Sequence, residues 1–203
     1  MGMNFLAASI QATIGVAACV GLAGAAWAQT PSLVTNSFIT MCAEGRGNAE
    51  HALAQARADG WDQLPDGLIP SLGLPFTERQ AWMSPDSSNT MMLIVGQFDM
   101  PANDAAIHMT TCGVVAQPVE QGRAIAPDPH EAFTDWIDMA PDPRFTNAET
   151  TAFAFTTEGD ERRGLHGLSD MAVTQAVAAG RVTVIMLMGR GTDRVMLYVA
   201  PSL

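Results

Sequence analysis

The residues that come nearest to a catalytic set are His166, Ser169 and Asp170, the three types a serine hydrolase uses, within five positions of one another. Sequence proximity is no help to such a triad, because its members come from separate segments and the base must be aimed at the nucleophile. Ser169 instead precedes a helical stretch as an N-cap, which commits its hydroxyl to backbone amides. No Gly-x-Ser-x-Gly elbow occurs. Asp128-Pro129-His130-Glu131 groups three metal-ligating side chains. It reads equally as a helix start, with Asp at the cap, Pro at the first position and Glu at the third. The four histidines, His51, His108, His130 and His166, include no pair at metal-binding helical spacing.

Two further groups have anion or metal chemistry. Gly45-Arg46-Gly47 before Asn48 could aim amides at an anion, although a helix precedes it rather than a strand, which favours a helix–helix corner. Methionine is abundant, with eleven after Met1 and Met3 are set aside; Met186 and Met188 share a strand face and His108 adjoins Met109. Thioether and imidazole suit Cu(I), whereas the structural use of methionine is to fill irregular core gaps.

Charge is unevenly spread. The chain carries 21 acids and 10 basic residues, all arginine, for a net −11. From Arg162 onward the balance reverses: Arg162, Arg163, Arg181, Arg190 and Arg194 face only Asp170 and Asp193. These five arginines are the candidate anion patch, and guanidinium forks suit carboxylates and phosphates. The competing expectation is that each finds an acid from the preceding sequence, such as Glu158 or Asp160 across a hairpin turn. The net charge argues against nucleic acid and anionic membrane surfaces as partners. No cofactor is implied.

The first 28 residues read as a signal peptide. An apolar run from Ile14 to Ala26 ends in Ala26-Trp27-Ala28 before polar Gln29-Thr30-Pro31. Two alternatives stand beside cleavage at Ala28. The run could persist as an anchor, although it is shorter than the ~20 residues a spanning helix needs. Val16-Ala17-Ala18-Cys19 could be a lipidation site at Cys19. With cleavage, residues 29–203 make a single exported domain with no stable membrane insertion, and two cysteines remain. Cys42 and Cys112 are then expected to form a disulfide that pins N-terminal helices to a sheet.

Periodicity supplies the elements. Ser32 to Ala43 and Ala49 to Asp59 are expected helices, the second capped by Asn48 and stopped by Gly60. Thr77 to Met83 is expected as one short helix, capped by Thr77 with Gln80 three residues on. Hairpins follow at 90–98 with 107–116, at 151–157 with 162–168, and at 181–188 with 194–200. Helices at 128–140, with Phe133, Trp136, Ile137 and Ala140 buried, and at 169–179 separate them. The predicted fold is α+β: a mainly antiparallel sheet of about six strands in three hairpins, helices on one face, and an N-terminal helical segment.

Met41-Cys42, Ala58-Asp59-Gly60-Trp61, Cys112, Arg162-Arg163, Ser169-Asp170 and Gly180-Arg181-Val182 together resemble a group of exported alphaproteobacterial proteins, over nearly all of residues 29–203. The resemblance implies export and no particular activity. The expectation is a periplasmic or secreted domain that binds, without catalysis, an anionic envelope component or protein. The alternatives are a periplasmic hydrolase-type enzyme and a copper handler using methionine and histidine.

Overall fold

The computed structural model describes residues 32–69, 75–85, 89–102, 105–120, 123–159, 161–190 and 192–202. The expected signal segment and Cys19 lie outside these residues. Eight strands form one antiparallel sheet: β1 (Asp62–Gln63), β2 (Glu78–Met83), β3 (Asn89–Ala102), β4 (Ala105–Pro118), β5 (Thr150–Glu158), β6 (Glu161–Gly164), β7 (Thr183–Arg190) and β8 (Asp193–Pro201). Their spatial order is β1-β2-β3-β4-β8-β7-β5-β6. The α-helices are α1 (Leu33–Phe38), which runs on as a π-helix over Ile39–Ala43, then α2 (Ala49–Ala58), α3 (Pro129–Ile137) and α4 (Asp170–Ala178).

The local signals for the helices act as expected. Ser32 Oγ, Asn48 Oδ1 and Ser169 Oγ each accept from the amide three residues on, and Asp128 Oδ1 accepts from His130 N at 2.9 Å. Helices α2 and α4 end in the same pair of bonds, with Trp61 N donating to Ala56 O and Arg181 N to Ala176 O, past Gly60 and Gly180. Helix α3 stops earlier than expected, at Ile137, because Asp138 takes a left-handed conformation (φ 48°). Trp136, inside the helix, and Ala140, beyond it, are exposed rather than buried.

Strand alternation gives the sheet two different faces. On one, Cys112, Val114, Phe153, Phe155, Ile185, Met196 and Tyr198 pack beneath α1, the π-helix, α2 and α3. Phe133 of α3 bridges Phe38 at 5.3 Å and Phe153 at 6.0 Å between ring centroids. All three rings are fully buried, and each contributes about 2–3 kcal/mol by leaving water. The Cys42–Cys112 disulfide (Cα–Cα 5.3 Å) joins the π-helix to β4 on this face.

The opposite face takes α4, whose Val173 and Ala176 pack on Ala154, Leu165 and Val182. Helices therefore lie on both faces, where one was expected. The reason is visible in β5: Phe153 and Phe155 point to the disulfide face, and Ala154 between them leaves room for a helix behind. The connection before β5 is fixed by a buried ion pair. Arg144 grips Asp142 through Nε at 2.8 Å and Nη2 at 2.7 Å, and also donates to the carbonyls of Leu165 and Leu168.

Two strands exceed the expected six. The segment expected as a helix at 77–83 instead holds strand β2: Thr77, just before it, donates both its amide and its hydroxyl to Gln97 O instead of capping a turn. Pairing with β3 overrides the local signal because it buries Ala81 against Ile94 and places Trp82 over Leu93. β1 then adds to β2 through Asp62 and Gln63. β6 is shorter than expected, ending at Gly164.

Candidate functional site

The corner between the π-helix and α2 builds one wall of the site. Its amides are already used: Arg46 N donates to Ala43 O, Gly47 N to Cys42 O at 2.8 Å, and Asn48 N to Gly45 O. The amides of Arg46, Gly47 and Asn48 are thus unavailable to an anion, and what the corner offers instead is the Arg46 side chain. Arg46 sits in the left-handed region at φ 52°, an unfavourable setting for a residue with a Cβ. Gly47 follows at φ 75°, where an added Cβ would lie 2.8 Å from Cδ1 of Tyr198. Only glycine lets the chain press so closely on that ring.

Tyr198 is the single tyrosine of the chain. It lies on β8 directly across from Cys112 in the β4–β8 register and is 4% exposed. The disulfide that secures Cys42 thus also seats the Arg46 corner on Tyr198. Thr183 of β7 lines the same hollow as Tyr198. Burial pushes the Tyr198 phenol up, against the opposing pull of Thr183, Arg162 and Arg46. Like any tyrosine, the group is protonated at neutral pH and has an O–H to donate.

Arg162 of β6 stands across the cleft. Its guanidinium carbon is 4.8 Å from the centroid of Trp136 and 5.8 Å from that of Phe155. Stacking fixes the plane and leaves the N–H edges for a ligand. Among the described residues no carboxylate lies within ion-pair distance of Arg162 or Arg181. The cleft is two adjoining hollows. One, of about 250 Å³, is lined by Ala43, Glu44, Arg46, Phe155, Thr157, Arg162 and Tyr198. The other, of about 360 Å³, includes Arg46, Thr157, Glu158, Arg181, Thr183, Tyr198 and Pro201. Among the described residues that line it, three guanidiniums meet two carboxylates; Arg46 is already engaged, its Nη2 donating to Gly159 O at 3.1 Å, and Glu158 pairs with Arg163 at 3.1 Å.

The five arginines singled out in the sequence divide between different surroundings. Arg162 and Arg181 line the cleft. Arg163, its neighbour on β6, points away and pairs with Glu158 and, at 3.6 Å, Glu161. Arg194 joins Asp128 at 2.9 Å, so the cap of α3 is also tied to β8. Hydrogen bonds from Arg194 and from the His130 amide hold the Asp128 carboxyl below its usual range, although burial opposes them as the largest single influence. The Arg190 side chain lies outside the described residues. Arg46 and Tyr198 were not singled out together because nothing in the linear sequence joins them; the Gly-Arg-Gly corner four residues past Cys42 was the available signal.

The remaining chemical candidates are dispersed. Ser169 Oγ accepts from Ala172 N, and Asp170 stands 3.7 Å from Arg144. Alternation sends His108 and Met109 to opposite faces of β4. His108 pairs with exposed Asp99, while Met109 packs with Met186 and Met188 in an apolar cluster. Among the described residues, no group of three or more His, Cys, Asp and Glu is placed to hold a metal ion. The cleft itself has hydroxyls and guanidiniums but, among the described residues that line it, no histidine, cysteine or serine. Its chemistry is hydrogen-bond donation to negative charge. The chain matches no protein-family model, no curated protein and no solved structure.

Proposed function

We propose that residues 29–203 form an exported, non-catalytic binding domain that holds an anionic group in the Arg46–Arg162–Tyr198 cleft. The observation that carries this reading is a phenol 4% exposed, with two guanidiniums on the walls beside it. A neutral O–H donor flanked by planar cationic forks matches a carboxylate or phosphate oxygen set.

Three features support an exported setting. The Cys42–Cys112 disulfide suits an oxidising compartment. Among the described residues no helix is long and apolar enough to cross a membrane. The apolar N-terminal run ending at Ala28 has the form of an export signal. The net charge of −11 repels polyanions at long range, so a compact anion that enters the cleft is favoured over a nucleic acid.

Titration with inorganic phosphate, followed by amide and guanidinium NMR signals, tests the reading. Saturable shifts at Arg46, Arg162 and Tyr198, absent in the folded Arg46→Gln plus Arg162→Gln variant, are expected. Equal shifts in wild type and variant would overturn it.

A further inference from the structure

The opposite face of the sheet holds a second hollow, of about 170 Å³, between strands β3, β4, β7 and β8 and the end of α4. All twelve residues that line it are apolar, so it offers a ligand no charge and no side-chain hydrogen bond. Phe98, Met109, Met186 and Val199 form its floor and walls, with Val177 of α4 at one side. Three methionines line it, and their unbranched thioethers adapt to a flexible apolar guest. Water gains nothing there, since it needs two or more polar partners to be held.

This hollow is not isolated from the arginine cleft. Gly180 and Pro201 line both, at the strand end where β8 finishes and the α4–β7 connection passes. Arg181, the residue after Gly180, belongs to the cleft. The cleft on one face and the apolar hollow on the other therefore border each other at the end of β7 and β8. We infer that the ligand is a free single-chain anionic amphiphile, its carboxylate or phosphate head at Arg46, Arg162 and Tyr198 and its alkyl chain in the hollow. The inference rests on the anion-binding reading and adds the apolar half. Size selects one chain: 170 Å³ lies below the ~300–1,000 Å³ of pockets that enclose drug-sized ligands. It takes part of one alkyl chain and not the two of a bilayer lipid.

Calorimetric titration of the full exported chain with hexanoate, octanoate, decanoate, decyl phosphate, decanol and inorganic phosphate tests this. Each added methylene should tighten binding about fourfold until the hollow is full. Decanol should bind at least tenfold more weakly than decanoate; comparison with decyl phosphate identifies the preferred head. Val184→Asp, at the wall of the hollow, should abolish the chain-length dependence and leave phosphate binding intact. Val177→Gln on α4 should act the same way if Val184→Asp does not fold. Hexanoate and decanoate binding equally, with both variants silent, would overturn the amphiphile and leave the anion site standing. Decanol equalling decanoate, with no phosphate binding, would overturn the anion reading instead. Sedimentation with anionic phospholipid vesicles without binding of monomeric decanoate would assign the face to a membrane surface and also overturn the inference.

Discussion

Replacing Cys42 and Cys112 together by alanine should lower folding stability by roughly 4 kcal/mol. The bridge closes a loop of 70 residues, and the chain-entropy relation for a loop of that length gives about 4.4 kcal/mol at 25 °C. Both cysteines are fully buried, so the variant also leaves small voids, and the total should not fall below the entropic figure by much. For a chain of this size the loss corresponds to a fall in Tm of about 10 °C. The assay is urea denaturation of both proteins at one pH, fitted for midpoint and slope. An unchanged slope with a lower midpoint reports a stability loss without a change in compactness, whereas a steeper slope reports expansion of the unfolded chain after the cross-link is removed. A binding consequence accompanies the stability loss. Gly47 N hangs from Cys42 O, and Cys112 faces Tyr198 across the register, so phosphate affinity should fall with the bridge. A stability change under 1 kcal/mol would refute the reasoning, since residues 42–112 would then be compact even when unfolded.

The other predictions concern single positions and pH. Gly47→Ala should cost about 2 kcal/mol, from the left-handed backbone and the 2.8 Å approach to Tyr198, measured by the same denaturation. Asp142→Ala should destabilise the fold because it removes the buried carboxylate that Arg144 grips, and Asp142→Glu should fail to restore the loss, both read by the same denaturation. Burial holds the His130 pKa below the ordinary imidazole value. The unfolded chain then binds the proton more readily, and stability should decline as pH falls below 6.5 through the folded value. The Arg144 hydrogen bond lowers the pKa of Asp142 from 3.8, so a second decline should come in strong acid as pH falls through the folded value. Denaturation midpoints from pH 8 to pH 3 check both; a flat profile between pH 7 and 5 would remove His130 from the account.

What was legible in the sequence is what local chemistry decides. Asn48, Asp128 and Ser169 cap helices because a short acceptor side chain precedes an amphipathic run. The three hairpins appear at β3–β4, β5–β6 and β7–β8 because turn residues separate β-rich runs. The disulfide was legible from the cysteine count after Cys19 is set aside. The strand at Glu78–Met83 was hidden, since its capping signal is local while the partner that claims it, β3, is non-local. Helix placement on both faces depended on Ala154 lying between two phenylalanines, a packing fact rather than a pattern. The cleft was least legible. Arg162 and Arg163 look equivalent in sequence, and only strand alternation sends one to the cleft and the other to Glu158 and Glu161. Arg46 reaches Tyr198, 152 positions away, through a disulfide and a strand register that no local window contains.

A single tyrosine makes the central claim directly measurable. With 3-fluorotyrosine incorporated, the chain has one 19F resonance, from a ring between Gly47, Thr183 and the guanidiniums of Arg46 and Arg162. Titration with inorganic phosphate should move that resonance saturably, and the Arg46→Gln plus Arg162→Gln variant should show no movement over the same range. A resonance that stays fixed in the wild-type protein while phosphate binds elsewhere, or that moves equally in the variant, would contradict anion capture in this cleft.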